Sequence, residues 1–341
     1  MKKGTTIQPK QSAVSRLVDP VEAVDDGEFR TSGGIHDDPW RLMVVGVAGV
    51  GKTTLARDAP GAVMIDANRG SRGIEVARAT WPDPAFPGGA REFPTSWLEV
   101  GRAVEQLTTK RHQHRVLFVD TMTDVEHLLH DHVRGGKSMG EACGGFQNAY
   151  AVAMNWWREL AAAFERLQDK RGMHVVLLVH ADIRKKRLPG VPEWDSYEGK
   201  LWKGSTGDAW TFWKGWCSDV LFATHDDKAV VDDSGRRYTG VSTDSRWLYT
   251  THTATMDCKN RHGLPPRLPL RWADLAEAMA SQSPARLEQL QAALREGEQW
   301  LDKHAPDRVE AFRDAVREAS GNPKQLAEIH EYLNSLRAEA E

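Results

Sequence analysis

RLMVVGVAGVGKTT, residues 41–54, contains the pattern G-x-x-x-x-G-K-T from Gly46 to Thr53. An apolar run, Leu42 to Val47, feeds the pattern, and a helix-compatible stretch, Thr53 to Asp58, follows it. In that setting a loop through Gly46, Val47, Ala48, Gly49, Val50 and Gly51 turns tightly. Its backbone N–H groups, with those of Lys52, Thr53 and Thr54, wrap a phosphate. Lys52 reaches the β- and γ-phosphates, the Thr53 hydroxyl holds Mg²⁺, and the helix start adds a positive dipole end. The plain alternative is a Gly-rich connector with a solvated lysine, and the flanking strand and helix patterns argue against it. The expected ligand is therefore ATP with Mg²⁺.

Bulk properties narrow the rest. A chain of 341 residues is long enough for one large domain with appendages. Its net charge of −3 argues against a generally basic nucleic-acid coat, so any DNA contact must be local. Cys143, Cys217 and Cys258 are odd in number and widely spaced, which suits a reducing cytoplasm and offers neither a disulfide framework nor zinc-ligand spacing. The start, MKKGTTIQPKQ, has no apolar stretch behind its lysines, and the longest apolar runs are strand-sized. A cytoplasmic protein with no membrane partner is expected.

Three regions follow from the pattern of the chain. Residues 1–38 are polar, with an acidic cluster at Asp25, Asp26 and Glu28, and are expected to form a flexible arm. Residues 39–282 form the core. Its first part alternates apolar runs (Leu42–Val47, Ala62–Asp66, Val116–Asp120, His174–His180) with amphipathic stretches at Trp97–Lys110, Asp124–Val133 and Ala149–Lys170. That alternation predicts an α/β fold with a parallel sheet buried on both faces. Residues 181–216 turn polar and tryptophan-rich, and 218–258 read as several short antiparallel strands on one sheet edge, with a turn at 232–235. Residues 283–341 are predicted to be a helical appendage. Ser283-Pro284 and Asn322-Pro323 look like helix starts, and leucines recur at helical spacing. This tail carries eight Lys and Arg against twelve Asp and Glu, which makes it a poor DNA ligand.

A phosphate loop needs an acidic partner for the metal shell, and RVLFVDT, residues 115–121, supplies one. Its apolar strand ends at Asp120, which would hold Mg²⁺ with Thr53. The other reading of Asp120 is a cap for the helix beginning at Met122. With VMIDANRGSRGIE, HVVLLVHADIRKK and MDCKNRHGLPPRLPLRW in this order, the stretch from Leu42 to Ala280 resembles the RecA-like ATPases. Within them it is most similar to the phage single-strand-annealing (Sak-type) recombinases.

The resemblance implies a RecA-like P-loop core and assigns further positions. Two residues beyond Asp66, where relatives carry the glutamate that activates water, this chain has Asn68. An amide can orient a water but cannot take its proton, so Asp66 or Glu75 would have to substitute, or turnover is slow. His180 stands where relatives place a γ-phosphate sensor; it reads equally as a histidine closing a strand end. His127, His130 and His132 do not fall on one helix face, so no metal site is expected there.

Residues 183–214 mix Arg184, Lys185, Lys186, Arg187, Lys200, Lys203 and Lys214 with tryptophans, as single-stranded DNA binding favours. The resemblance implies a mobile DNA-contacting loop here and a second from Arg134 to Gln147 that includes Lys137. Packing explains the tryptophans as well, since Trp210, Trp213 and Trp216 have helical spacing. Lys259 and Arg261 match a basic pair that in relatives reaches the neighbouring subunit's ATP site; an exposed turn is the other reading. The implied protein is an Mg²⁺-dependent, DNA-stimulated ATPase of phage recombination. It would form a homo-oligomeric ring or filament on single-stranded DNA in the host cytoplasm, with a single-strand-binding protein as a further partner. A P-loop small-molecule kinase and a slow ATP-switch adaptor or helicase loader are the rival readings.

Overall fold

The structure, a computed structural model, describes residues 38–85, 88–231, 238–281, 284–319 and 323–340. The expected arm up to residue 37, the turn at 232–235, and the cap residues Ser283 and Asn322 lie outside the described residues. In chain order, β1 (Arg41–Gly46) leads to α1 (Lys52–Asp58), β2 (Ala62–Asp66), β3 (Ala77–Arg78) and a small hairpin of β4 (Trp81–Pro82) and β5 (Ala90–Arg91). Then come α2 (Trp97–Thr109), β6 (Val116–Asp120), α3 (Met122–Arg134), α4 (Asn148–Arg171) and β7 (His174–Lys186). β8 (Trp194–Gly199), the hairpin of β9 (Lys203–Gly204) and β10 (Gly207–Asp208), and α5 (Ala209–Trp216) follow. The core closes with β11 (Asp219–Val231), β12 (Tyr238–Tyr249), β13 (Lys259–Asn260), β14 (Arg267–Pro269) and α6 (Trp272–Ser281). Last are α7 (Pro284–His304), α8 (Val309–Glu318) and α9 (Pro323–Ala340).

The central sheet runs β14-β12-β11-β1-β7-β6-β2-β3. Its strands from β11 to β3 are parallel, while β12, β13 and β14 add antiparallel pairs on one side and β8 pairs with the end of β7. Alternation along each buried strand divides the core in two. Leu42 and Val44 face α1 and α6 with Leu55, Trp272 and Leu275, whereas Met43 and Val45 face α2 to α5 with Trp157, Phe164 and Trp213. Burial on both faces is why these strands read as continuous apolar runs. This is the α/β arrangement expected of a RecA-like P-loop core. Beyond it, α7 to α9 enclose a third cluster built on Leu290, Leu294, Leu301, Phe312, Leu326 and Leu333. No helix among the described residues is long and apolar enough to cross a membrane.

Two elements differ from their sequence reading. β7 does not stop at His180 but runs to Lys186, paired residue by residue with β8 from Ala181↔Gly199 to Lys186↔Trp194. The segment after the sensor position is therefore a hairpin rather than a loop. Its strand half is basic, with Ile183 its one large apolar residue, so it carries no apolar periodicity; ladder bonds and ion pairs hold it instead. The several short strands expected over 218–258 are chiefly two long ones, β11 and β12, whose register slips between His225 and Asp227.

Candidate nucleotide-binding site

The parallel register gathers the site at the carboxyl ends of the central strands, the usual position for a ligand in an open α/β sheet. Gly46 of β1 lies level with His180 of β7 on one side and Ala223 of β11 on the other. Asp66 of β2 lies level with Asp120 of β6. Gly46 has no alternative, because a Cβ there would sit 2.7 Å from the Ala223 carbonyl oxygen. Gly51 precedes α1 in the left-handed region at φ 104°.

Lys52 is buried, and its ammonium donates to the carbonyl oxygens of Gly46 (2.8 Å) and Val47 (3.0 Å). Burial lowers its pKa, and the charge of Asp120 opposes that shift. The Thr53 hydroxyl donates to Asp120 Oδ2 at 2.6 Å, so the two groups expected to share a Mg²⁺ ion are already in contact. Burial pushes Asp120 up to about 6; the hydrogen bond from Thr53 pulls down, and the neighbouring Asp66 charge pushes further up. Four successive backbone N–H groups, Ala48 to Gly51, have no acceptor among the described residues. Those free donors, one buried ammonium and a hydroxyl–carboxylate pair fit a polyphosphate with a divalent cation. Lys52 and the loop amides would bind the phosphates, Thr53 and Asp120 the cation, and the cation would offset charge on the transferring phosphoryl group.

Around this centre, Asp66 accepts from Gly70 N, Ser71 N and Ser71 Oγ, and is fixed in the turn after β2. Asn68 is exposed, and its Oδ1 accepts from Gly70 N at 2.6 Å. Glu75 is exposed. His180 lies beside the loop: its Nε2 is 4.0 Å from Asp124 Oδ2, and its pKa is lowered by burial and then by the Lys52 charge. A neutral imidazole there can donate or accept one hydrogen bond.

Asp124, which the sequence reading did not single out, forms a reciprocal cap with Thr121. Its backbone N–H donates to Thr121 Oγ1 at 3.3 Å, and the Thr121 hydroxyl donates back to the carboxylate. The signal was present as Thr121-Met-Thr-Asp124, a helix-start pattern that also brings a carboxylate next to His180. Glu126, two residues on, was missed too. It is buried, accepts the Trp202 N–H at 2.9 and 3.0 Å, and burial raises its pKa to about 7.

With this geometry in place, a family model described as AAA domain (AAA_24) matches residues 38–262. The chain belongs to the AAA domain family. It is a P-loop ATPase by family, and nucleotide with Mg²⁺ is the ligand class that goes with that membership. Among solved structures, this AAA-domain chain is similar to one titled "Crystal structure of the RadB recombinase", at 14% identity and a TM-score of 0.32, over 62% of this chain and 80% of that one. Comparison with curated proteins gives no match.

The residues expected on DNA in this AAA-domain protein fall into two groups. Lys137, Lys185 and Lys200 are exposed, and Arg187 is exposed but pairs with Glu193 at 3.3 Å. Arg184 pairs with Asp182 at 3.1 Å, Lys186 is bound to Glu198, and Lys203 reaches the same Glu198 at 3.2 Å. Phe146, 92% exposed, stands in the segment between α3 and α4 and carries no basic signature that would have drawn notice. Trp210 and Trp213 are core residues, whereas Trp202 stacks on Tyr150 with ring centroids 3.7 Å apart. Lys259 donates to the carbonyl oxygens of Lys214 (2.9 Å), Gly215 (3.1 Å) and Cys217 (2.6 Å), at the end of α5. Arg261 exposes its side chain.

Proposed function

We propose that this AAA-domain protein is a Mg²⁺-dependent ATPase acting on single-stranded DNA in phage-type recombination, by annealing or strand exchange, as a homo-oligomer. The observation that supports it best is the continuity of β7. One strand carries His180 beside the phosphate loop and then, without a break, the exposed Lys185 of the β7–β8 hairpin, with Arg187 just beyond its end. The hairpin adds exposed apolar side chains beside those cations, Ile183 on the strand and Leu188 and Val191 at the tip. Cations that track phosphates next to apolar groups that meet bases suit a single strand. A rigid strand also gives bound DNA a direct mechanical route to the sensor position. Single-strand-binding protein is a further partner in this reading.

A second reading, a slow ATP switch that loads another protein, is favoured by one specific observation. Asp66 is held by three donors of its own turn, and Asn68 supplies an amide, which is no base and is engaged with Gly70, so neither stands free as a general base. ATP turnover with and without single-stranded DNA separates the two. The recombinase reading expects stimulation by DNA, with weaker binding and a shallower salt dependence when Lys185 and Arg187 become alanine. Binding of ATP with no turnover under either condition favours the switch.

A further inference from the structure

The long hairpin of β11 and β12 places a cation at the phosphate loop that no sequence motif marks. Leu248 of β12 lies level with Ala223 of β11, which lies level with Gly46 of β1. Arg246 pairs with His225, two residues and about 7 Å farther along, past the end of β1 and over the loop. The strand's period of two puts Arg246 on the same face as Leu248, and Leu248 packs in the cluster that holds Val50 and Leu55. The guanidinium arrives at the loop. Its Nη1 lies 2.9 Å from where a Gly51 Cβ would stand, and Thr54 Oγ1 and Leu270 Cδ2 lie 3.7 and 3.8 Å from that same point. Leu270 is tied to the arginine's own backbone, donating its N–H to Arg246 O at 2.9 Å. Arg246 is exposed and has no ion-pair partner among the described residues. Gly51 is thus constrained twice, by its φ and by the arginine above it.

We infer that Arg246 is a nucleotide-binding residue supplied in cis, whose guanidinium holds the α- and β-phosphates from the β12 side while Leu270 backs it. This rests on the reading of the loop as an ATP site. Lys52 and the Thr53–Asp120 pair lie toward β7 and β6 and serve the γ end. Arg246 comes from the opposite flank, over Gly51 and Thr54. A planar fork fits two phosphate oxygens at once, which a lysine cannot reproduce.

The test is calorimetric titration of the full chain with ADP and with ATP, in the presence of Mg²⁺, for the wild type, Arg246→Gln and Arg246→Lys. Arg246→Gln should weaken ADP and ATP alike by about tenfold or more, the size of one lost charge-assisted hydrogen bond. Arg246→Lys should recover only part of that loss. Because the side chain is exposed, melting of the nucleotide-free protein should not change. Unaltered affinity for both nucleotides, or a loss confined to ATP, overturns the assignment. Failure of the wild type itself to bind either nucleotide would instead overturn the ATP-site reading, and this inference with it.

Discussion

Asp120 is pulled two ways. Burial and the level carboxylate of Asp66 favour its protonated form, while the Thr53 hydroxyl and the Lys52 ammonium favour the charged one. Burial wins, and the group titrates at about 6 rather than at its ordinary 3.8. A divalent cation requires the ionised carboxylate, so the proton and the cation compete for one site. Mg²⁺-dependent ATP binding should therefore be level above that pKa and fall as pH drops through about 6. An unperturbed aspartate would give no such step until near 3.8. Asp120→Asn should remove the step together with the Mg²⁺ dependence. Isothermal titration of Mg·ATP from about pH 8 to about pH 5 reads this directly. A flat profile in the wild type would mean that Asp120 does not hold the cation.

Among the elements, the C-terminal helices give the sharpest conflict between local propensity and packing. Gly297 lies in α7, where alanine would ordinarily gain about 1 kcal/mol of helix propensity. Here an alanine Cβ would fall 1.9 Å from Leu333 Cδ2, and Leu333 is fully buried in the helical cluster. Overpacking costs about 1–3 kcal/mol, so the contact outweighs the propensity. Gly297→Ala should lower the melting transition, and a higher one would show that α9 does not pack here. The glycine's role is invisible in the sequence, where it reads only as a weak helix position.

The same boundary divides the rest. β2 and β6 and nearly all of α2, α3 and α4 were legible to within about two residues, because period and burial coincide in them. The extension of β7 was not, since its strand character comes from pairing with β8 and from Lys186–Glu198 rather than from apolar alternation. In the site, the phosphate loop and Asp120 were readable as linear patterns. Asp124 had a linear signal in the helix start at residues 121–124. Glu126 and Arg246 had none, because Glu126 meets a partner distant in the chain and Arg246 reaches the loop through the sheet register.

At the scale of the whole molecule, the position of Lys259 and Arg261 decides what they can do. β13 pairs with the start of β11, at Asp219 and Val220, and Asp219 is level with Leu42. The phosphate loop begins after Gly46, four residues and about 13 Å farther along the strands. A basic residue at this end starts about 13 Å along the sheet from its own phosphate loop, so a role in hydrolysis calls for a neighbouring subunit. The two residues then part company. Lys259 is bound to three carbonyl oxygens at the end of α5, and Lys259→Ala should lower the melting temperature. Arg261 exposes its side chain and is the group able to cross an interface. Arg261→Ala should still bind ATP in its own loop yet lose DNA-stimulated turnover. Lys52→Ala lacks the phosphate-facing ammonium but keeps an intact Arg261. When the two inactive proteins are mixed, an interface that joins the loop of the first to the arginine of the second is complete, and turnover should return. Mixed oligomers that form and stay inactive would assign Arg261 to the surface and the coupling of hydrolysis to some other residue.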